Sequence, residues 1–355
     1  MLFNVEGDTG DRIFGYCVPD GVSGSLSLSL RIDGQQPQTI LADRPKPSLV
    51  EGRRHETGRC GFDIIEADFP GLAVGADVEI RDSKSGFLFY RRAKPEFICK
   101  KICRIETQLH PLWGLDRFLR PAFQYYADGA ERLGRETVTQ LFLLDNVQSL
   151  YVSGRILFRN YSVYLDHGFE VCLFARPPYL ELAERLIVLA LSKKSGAATL
   201  GDRDAMVFAP AIEFSAGLPF ANENAMKKAI RAMPSEVATV LANPLVRLLT
   251  SSTPDELPIA GAVSAALDAL SSFKFVGVRG EGARGNRRDM IGDFADIVGI
   301  PRDDVPRPRV APGTLKLAKM LKDSGAVEGM LEKDLELFYY VCAADQQSGG
   351  VRKTP

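Results

Sequence analysis

The stretch TQLFLLDNVQSLYVSGRILFRNY, residues 139 to 161, decides how the second half of the chain is interpreted. Its short apolar run at 139–144 is followed by Asp145, which predicts a buried strand that ends in a turn. The residues after the turn follow a helical spacing of i, i+3, i+4 and i+7, namely Val147, Leu150, Tyr151, Gly154, Leu157, Phe158 and Tyr161. This spacing predicts one helix that begins near Asn146 and is capped by the Asp145 carboxylate.

A strand, a loop and a helix in this order often hold a phosphate, because free amides at the helix start attract anions. Here Ser153 and Gly154 would lie about two turns inside the predicted helix, where the amides are already bonded. The loop has no lysine, and the Asp145 carboxylate would occupy the helix start. The predicted local fold therefore suits a phosphate, whereas its side chains do not.

Two further apolar runs, 169–174 and 273–278, predict additional short buried strands. The first helical segment of the second half has one apolar face, formed by Leu112, Leu115, Phe118 or Leu119, and Tyr126. Helical spacing predicts later helices at 179–192, 222–233, 235–250, 258–272, 284–298, 313–322 and 325–343. Short buried strands that alternate with amphipathic helices indicate an α/β domain with a parallel sheet.

Residues 11–92 have the spacing of strands instead. The segment SLSLSLRID (25–33) alternates with period two, and GFDIIEADF, DVEIRD and GFLFYRR predict further short strands. Such strands, separated by turn residues, indicate a small antiparallel β-sandwich. We therefore expect an α/β protein with a β-sandwich over 1–95, a larger, helix-rich parallel-sheet domain over 96–345 and a disordered tail over 346–355. The domain boundary is expected near residues 93 to 97.

The composition is that of an ordinary globular protein. Over 355 residues the formal net charge is −1, so the overall charge attracts neither nucleic acid nor an anionic membrane. The start of the chain lacks a signal-peptide pattern, and the longest apolar stretch, at 186–191, is too short to span a bilayer. We therefore expect a cytoplasmic protein. Six scattered cysteines indicate reduced thiols, and three distant histidines predict no metal held by protein ligands alone.

In an open α/β sheet, ligands bind beyond the carboxyl ends of the strands. This rule selects the polar residues that follow the three predicted strands of the second half, which are Asp145, Asn146, Arg176, Arg279 and Glu281. If the three strands are neighbours in the sheet, these residues lie close together. The rule therefore predicts one candidate site at this edge of the sheet.

The segment after the third predicted strand contains GEGARG (280–285), which fits a dinucleotide-binding fingerprint. No clear strand follows to carry the ribose-binding acid, so a flexible turn is the alternative interpretation. The same turn is basic, because Arg284, Arg287 and Arg288 follow Arg279 closely. Such a cluster is either a solvated face or a place where an acidic glycan or a nucleotide phosphate binds.

Part of the predicted β-sandwich resembles a module found beside sugar-handling enzymes of bacterial surface-polysaccharide pathways. The matching segments are Gly15-Tyr16-Cys17, Ile32-Asp33-Gly34, ADRPKPSL at 42–49, Gly58, and Gly61-Phe62 before the strand at 63–65. The resemblance implies a biological context rather than a reaction. Near Gly52, the residues Arg53, Arg54 and His55 either contact a glycan or form a solvated loop.

Three blocks of the second half occur in a fixed order: the stretch 139–161, FARPPYLELAERL at 174–186, and SFKFVGVRGEGARGNRRDMIGDFADIVGIP at 272–301. Together with a C-terminal helix ending EKDLELFYY, they resemble the sulfotransferase-like, P-loop-type α/β fold of carbohydrate-modifying enzymes. The resemblance covers residues 139 to 343. It implies phosphosulfate chemistry at the carboxyl edge of the sheet.

The resemblance implies the donor 3′-phosphoadenosine 5′-phosphosulfate. Family members bind its 5′-phosphosulfate with a loop after the first strand and its 3′-phosphate with an Arg-Asp-Pro segment after the next strand. By resemblance, Asp145 is the acceptor base, and the donor is bound by Asn146, Ser153, Arg176, Arg279, Arg284 and Arg287. The chain departs from this pattern in the loop, which lacks lysine, and at 176–178, where the acidic residue is replaced by proline.

Three functions stay open. The first is sulfuryl transfer to a glycan in bacterial cell-surface polysaccharide biosynthesis, in which cations surround the transferred group and Asp145 takes the acceptor proton. The second is a glycosyltransferase acting on a nucleotide sugar, with Asp145 or Glu281 as the base. The third is a non-catalytic protein that binds a glycan or a pathway partner through a degenerate transferase domain. The expected partner is a glycan or polysaccharide precursor, without nucleic acid.

Overall fold

A computed structural model of the chain describes residues 1–20, 24–195, 200–278 and 289–348. The chain divides into two compact units. The first unit contains Met1–Lys101, Leu119–Asp128 and Leu133–Val152, and the second unit contains the remaining described residues. The expected boundary near residues 93 to 97 therefore lies close to the end of the first of these segments. That the two expected domains fold independently stays a prediction.

Strands and helices are numbered in chain order. The strands are β1 (Leu2–Asp8), β2 (Arg12–Val18), β3 (Leu26–Ile32), β4 (Gln38–Ala42), β5 (Arg44–Pro45), β6 (Arg59–Ile65), β7 (Val78–Asp82), β8 (Leu88–Arg91), β9 (Lys101–Ile105), β10 (Tyr125–Asp128), β11 (Leu150–Gly154), β12 (Phe169–Ala175) and β13 (Phe275–Val278). The helices are α1 (Pro47–Glu51), α2 (Trp113–Leu119), α3 (Arg135–Phe142), α4 (Ser162–Leu165), α5 (Pro178–Ser195), α6 (Asp202–Val207), α7 (Ala209–Ala216), α8 (Glu223–Arg231), α9 (Ser235–Leu241), α10 (Pro244–Thr250), α11 (Ala262–Ser271), α12 (Met290–Val298), α13 (Pro312–Ser324) and α14 (Glu328–Ser348).

The first unit contains two four-stranded antiparallel sheets, in the orders β1-β2-β6-β5 and β4-β3-β7-β8. The alternating Leu and Ser residues of β3 place every second side chain toward the interior, as expected of a strand with one buried face. Phe3 of β1 and Phe62 of β6 each pack against Phe89 of β8, with ring centroids 6.0 and 5.9 Å apart. The two sheets therefore face each other, and the predicted antiparallel β-sandwich is confirmed.

A five-stranded parallel sheet has the order β10-β11-β9-β12-β13. Residues 172–175 of β12 pair in parallel with residues 275–278 of β13, which confirms the strands predicted at 169–174 and 273–278. The last five residues of β12 are all buried, as is typical of a parallel strand covered on both faces. Together with the many helices, this sheet makes the chain an α/β protein.

The prediction for residues 139–161 is wrong, because the structure has a helix followed by a strand. Helix α3 precedes the turn at Asp145, and β11 follows it, so Asp145 caps no helix. The cause lies in β11, whose five residues are all buried. A strand buried on both faces shows no alternation, so its apolar residues matched a helical spacing by coincidence.

Close packing at the end of β11 also requires a glycine. Gly154 has a φ of 149°, and a Cβ atom there would lie 2.4 Å from a carboxylate oxygen of Glu131 and 2.6 Å from the Ala130 nitrogen. Any larger residue would push these atoms apart. The glycine that suggested a phosphate-binding loop thus allows the close approach of protein groups to the strand end.

Most predicted helices are present, with differences at their ends. The predicted helix 235–250 is divided into α9 and α10, because Asn243 has a left-handed φ of 44° before Pro244. The first helix of the second half is shorter than predicted, because α2 ends at Leu119 and Tyr126 lies on strand β10. Residues 284–288 of the helix predicted at 284–298 lie outside the described residues. The predicted disordered tail begins too early, because α14 continues to Ser348.

Helix α5 is central to the apolar core of the second unit. Its side chains at 180, 182, 183, 186 and 189 are almost completely buried, and they pack with apolar residues of α7, α8, α9, α13 and α14. The helix follows β12 directly, after only two residues. The core therefore fixes the start of α5 beside the carboxyl end of β12, which positions the site described next.

Candidate functional site

Charged side chains gather at the carboxyl ends of three neighbouring strands. Arg104 and Glu106 lie at the end of β9, Arg155 follows β11, and Arg176 follows β12. Each of these side chains is at most 10% exposed. Ionised groups that are buried this deeply require partners, because their loss of hydration is otherwise very costly. This edge is also where ligands bind in open α/β sheets.

Arg104 is the centre of this network and is completely buried. Its guanidinium donates to Glu106 at 2.9 Å and to Asp116 at 2.7 Å, and it lies 5.6 Å from the ring centre of Phe174. The hydroxyl of Ser153 donates to the same Asp116 at 2.8 Å. Ser153, predicted to bind a donor, is thus a fully buried side chain that holds a carboxylate of the network.

Glu106 is a buried carboxyl with an altered proton affinity. It accepts hydrogen bonds from Arg104, from the side-chain amide of Gln108 at 2.9 Å and from the Leu112 amide at 3.3 Å. Burial raises the pKa of Glu106 to about 7, and the charges of Asp116 and Glu131 act in the same direction against the Arg104 guanidinium. The pKa of Glu106 therefore lies near neutral pH, where a carboxyl can exchange a proton.

Arg176 lies between the end of β12 and the start of α5, at the position that the sequence predicted. Its two terminal nitrogens donate to the two carboxylate oxygens of Glu184, each at 2.7 Å, and Glu181 lies 3.9 Å away. This two-bond geometry is the strongest pairing that an arginine makes with a carboxylate. The prediction placed Arg176 correctly but missed Glu184, which occupies the face of the guanidinium that would bind an anion.

The crevice between β9 and β12 is the switch point of the sheet, because the chain leaves β9 toward β10 and β11 and then crosses to β12 on the other side. This crevice contains protein side chains. Arg185 donates to Glu181 at 2.8 Å and to the carbonyl of Thr107, and the Thr107 hydroxyl donates to Glu181 at 3.2 Å. All three side chains are at most 5% exposed. The usual binding position is thus filled by an internal ion pair.

A cavity of about 90 Å³ adjoins this network in the second unit. Its charged lining residues are Arg155, Arg185, Arg203, Arg247, Glu131 and Asp204. Arg155 and Arg185 already pair with carboxylates, so Arg203 and Arg247 are the guanidinium groups that make the cavity suitable for an anion. A space of this size suits a single phosphate or sulfate group.

Two arginines of the cavity are held in different ways. Arg155 contacts Asp204 and lies 3.3 Å from Glu131. Arg247 donates to the carbonyls of Thr239, at 2.9 Å, and of Pro254. Burial and the nearby Arg185 charge lower the pKa of Arg247. Arg247 is thus a buried cation of the cavity that carbonyl groups hold. Among the described residues it forms no ion pair with a carboxylate.

The proposed base Asp145 and its neighbour Asn146 are exposed and lie in the turn before β11. They precede the amino end of this strand. Ser153 lies near the carboxyl end, about 10 Å beyond the first residue of the strand, Leu150, at about 3.3 Å per residue. The prediction that Asp145 lies at the carboxyl edge is therefore wrong, because the segment 139–144 is not a strand. Arg279, Glu281, Arg284 and Arg287 lie outside the described residues.

Sequence reasoning missed Glu106, Arg155, Arg185 and Arg247. For Arg155 a usable signal existed, since it follows an apolar segment that could have been interpreted as a strand. For Arg185 and Arg247 none existed, because arginines within amphipathic helices normally face solvent. The burial of these two residues depends on tertiary packing.

Comparisons with known proteins add no assignment. A scan against protein-family models, a search of curated proteins and a search of solved structures each found no match to the chain. Within the part of the chain that the structure describes, no three His, Cys, Asp or Glu residues are grouped so as to hold a metal ion. None of the described helices is both long and apolar enough to cross a membrane. The function is therefore inferred from the sequence and the site.

Proposed function

We propose that this protein binds a glycan or polysaccharide precursor in bacterial cell-surface polysaccharide biosynthesis, and that its sulfotransferase-like second unit does not use a phosphosulfate donor. The two later sequence blocks, at 174–186 and 272–301, support the transferase-like origin. The module resemblance of the first unit supports the glycan context. We place the protein in the cytoplasm, in agreement with its six free thiols.

One observation carries the non-catalytic part of this proposal. The described carboxyl edge of the sheet consists of side chains that already have internal partners: Arg176 with Glu184, Ser153 with Asp116, and Arg185 with Glu181. A donor phosphate would have to displace these carboxylates. Removing a carboxylate from its buried arginine partner costs about 3–5 kcal/mol, which is a large part of the binding free energy of a micromolar ligand.

Calorimetry on the full-length protein tests this proposal. We expect no binding of adenosine 3′,5′-bisphosphate at micromolar concentrations, and we expect binding of surface-polysaccharide oligosaccharides. Clear micromolar binding of the bisphosphate would contradict the proposal. Binding of a nucleotide sugar, accompanied by transfer of its sugar to an acceptor, would replace it with the glycosyltransferase alternative.

A second candidate function, sulfuryl transfer to a glycan, is favoured by the arginine-rich cavity. This small cavity suits one phosphate group of a donor whose remainder lies outside it. Arg203 is an exposed lining residue, so its removal should leave the fold intact. If the bisphosphate binds and Arg203→Ala weakens binding, while the exposed Arg231→Ala on α8 does not, the cavity is a donor site. Equal binding by both variants would remove the cavity from consideration.

A further inference from the structure

The first unit has a cleft of about 440 Å³, within the range of small-ligand sites. It is formed by the loop after α1, by α3, and by the ends of β1 and β2. The basic lining residues are Arg53, Arg54 and Arg135, and the other polar ones are Glu56, Glu136, Thr139 and Gln140. The apolar lining consists of Leu2, Val18, Pro19 and Leu143. All of these residues belong to the first unit.

The three arginines of this cleft are exposed. Within the described residues, none of them forms an ion pair with a carboxylate, although Glu56 and Glu136 also line the cleft. Three guanidinium groups and two carboxylates leave one positive charge in excess. The cleft therefore offers guanidinium donors to an incoming acid group, in contrast to Arg176 of the second unit.

The conformation of Arg53 is a second observation. Helix α1 ends with hydrogen bonds from the Arg53 amide to the Val50 carbonyl, at 2.9 Å, and from the Arg54 amide to the Leu49 carbonyl, at 2.7 Å. In this helix ending the residue at the Arg53 position is left-handed and is usually glycine. Arg53 nevertheless adopts a φ of 53°. Residues in such sparsely populated conformations cluster at functional sites.

The loop that presents these arginines is held by His55, which is 4% exposed. Its Nδ1 accepts hydrogen bonds from the amides of Gly58, at 2.9 Å, and Thr57, at 3.3 Å. The His55 amide also donates to the Leu49 carbonyl at 3.1 Å. Because the backbone on both sides of Arg54 is fixed in this way, little further ordering is needed when a ligand binds.

The lining chemistry identifies the class of ligand. Guanidinium groups bind carboxylate, sulfate or phosphate through paired hydrogen bonds. The glutamates, Thr139 and Gln140 can accept hydrogen bonds from hydroxyl groups or donate to them. The apolar lining residues can contact the C–H face of a sugar ring. The described lining contains no aromatic side chain on which a nucleotide base could stack.

We infer that this cleft binds an anionic saccharide, a short segment of a glycan whose sugars carry carboxylate or sulfate groups. The inference deepens the proposed function and rests on it, since both describe a glycan-binding protein. It assigns the binding to the first unit and makes the acid group of the sugar essential. Arg54 and Arg135 bind this group from two elements, the α1 loop and helix α3.

Calorimetry with the full-length protein can test the inference with three tetrasaccharides: an oligogalacturonate, a sulfated oligosaccharide and the neutral maltotetraose. We expect binding of one or both acidic probes, weakened by salt, and no binding of the neutral probe. Arg54→Ala and Arg135→Ala should each weaken binding about tenfold, as expected for a lost charge-assisted hydrogen bond. The exposed Arg31→Ala on β3 is the matched control and should change nothing.

The outcomes separate the two proposals. Binding of acidic probes that both cleft variants weaken supports the inference, and the preferred probe identifies the acid group. Acidic probes that bind equally to the cleft variants, or a neutral probe that binds as tightly as the acidic ones, would overturn the inference while leaving glycan binding in place. Binding of the adenosine bisphosphate without any saccharide would overturn the proposed function itself. Thermal unfolding of each variant confirms that it is folded.

Discussion

Arginines at the two candidate places differ in one respect that sequence does not reveal. In the second unit Arg104, Arg176 and Arg185 are buried and paired with carboxylates, whereas Arg54 and Arg135 of the first-unit cleft are exposed and form no described ion pair. The first group lies where donor phosphates would be expected, and the second lies on a loop and a helix start. Availability to a ligand therefore follows from the partners of an arginine rather than from its position in the fold.

The difference has a simple physical origin. A buried guanidinium has to be compensated within the protein, so its hydrogen bonds are already made before any ligand arrives. An exposed guanidinium is compensated by water, which a ligand displaces at a much smaller cost. Substitutions on either side of this contrast can test it.

Arg104→Met should have the largest effect. The substitution keeps an apolar stem but leaves Glu106 and Asp116 as buried carboxylates without their central cation. We expect the free energy of unfolding to fall by about 3–5 kcal/mol, measured by urea denaturation. The matched control is Arg12→Met in the exposed Arg12–Asp63 pair, which should change stability little. Equal effects of the two variants would contradict the contrast between buried and exposed arginines.

The pH dependence of stability should reflect the carboxyls buried in the second unit. Burial raises the pKa of Glu106 and of Asp334 to about 7, and Asp334 accepts hydrogen bonds from the amides of Leu245 and Val246. The folded state therefore holds protons that the unfolded chain releases at a lower pH. The stabilisation is present below about pH 4 and is lost as the pH rises toward 7, by a few kcal/mol on the scale of about 1.4 kcal/mol per pKa unit.

Urea denaturation at intervals between pH 4 and pH 7 checks this dependence. Groups whose pKa is lowered, such as Asp8 and Asp63, titrate below this window and do not obscure it. The amino terminus, whose pKa burial lowers to about 6, acts in the opposite direction near the upper end of this window. Glu106→Gln should lessen the loss of stability with rising pH, because it removes one of the two buried carboxyls. A slope that is the same in this variant and in the unaltered protein would show that Glu106 is already ionised in the folded state.

A double-mutant cycle on Arg176 and Glu184 should give a coupling free energy of about 1–3 kcal/mol. The two side chains are joined by two hydrogen bonds of 2.7 Å and are shielded from solvent. The cycle compares Arg176→Ala, Glu184→Ala and the double variant by urea denaturation. A coupling near zero would mean that Arg176 is held only weakly and is open to an anion.

The smallest effect is expected for Arg53→Gly, and its direction is opposite. Glycine adopts the left-handed conformation without strain, so the variant should be more stable by about 1 kcal/mol. The same variant should bind the acidic saccharide more weakly, because it removes one guanidinium from the cleft. Circular dichroism melting and calorimetry measure the two effects. A gain in stability without any loss of binding would show that Arg53 takes no part in binding.

The fold was predicted from the sequence wherever burial was one-sided or the strand was flanked by clear turns. The period of two in β3 reflects one solvent-facing side, and the runs at 169–174 and 273–278 are bounded by turns and helices. Strand β11 was missed because all of its residues are buried, so no periodicity marks it. Strand β9 was missed because its sequence, KICRI, contains an arginine. Arginine usually indicates an exposed position, but Arg104 is buried.

The site was predicted in part. Arg176 lies at the strand end that the sequence indicated, because the step from β12 to α5 is local. Its partner Glu184 lies two helical turns further on, and nothing in the sequence shows that the two side chains point toward each other. The error at Asp145 had a single cause, the reversed order of helix and strand. The network around Arg104 joins residues up to 49 positions apart, from Arg104 to Ser153, and requires the folded sheet.

The pairing of Arg176 with Glu184 also changes what an alignment of relatives would mean. Loss of either partner leaves a buried charge, so selection for a folded protein is sufficient to retain both residues. An invariant arginine at this column would therefore record a structural dependence between two positions. Only relatives that keep the arginine at position 176 and lose the glutamate at position 184 would be expected to bind a ligand through this guanidinium.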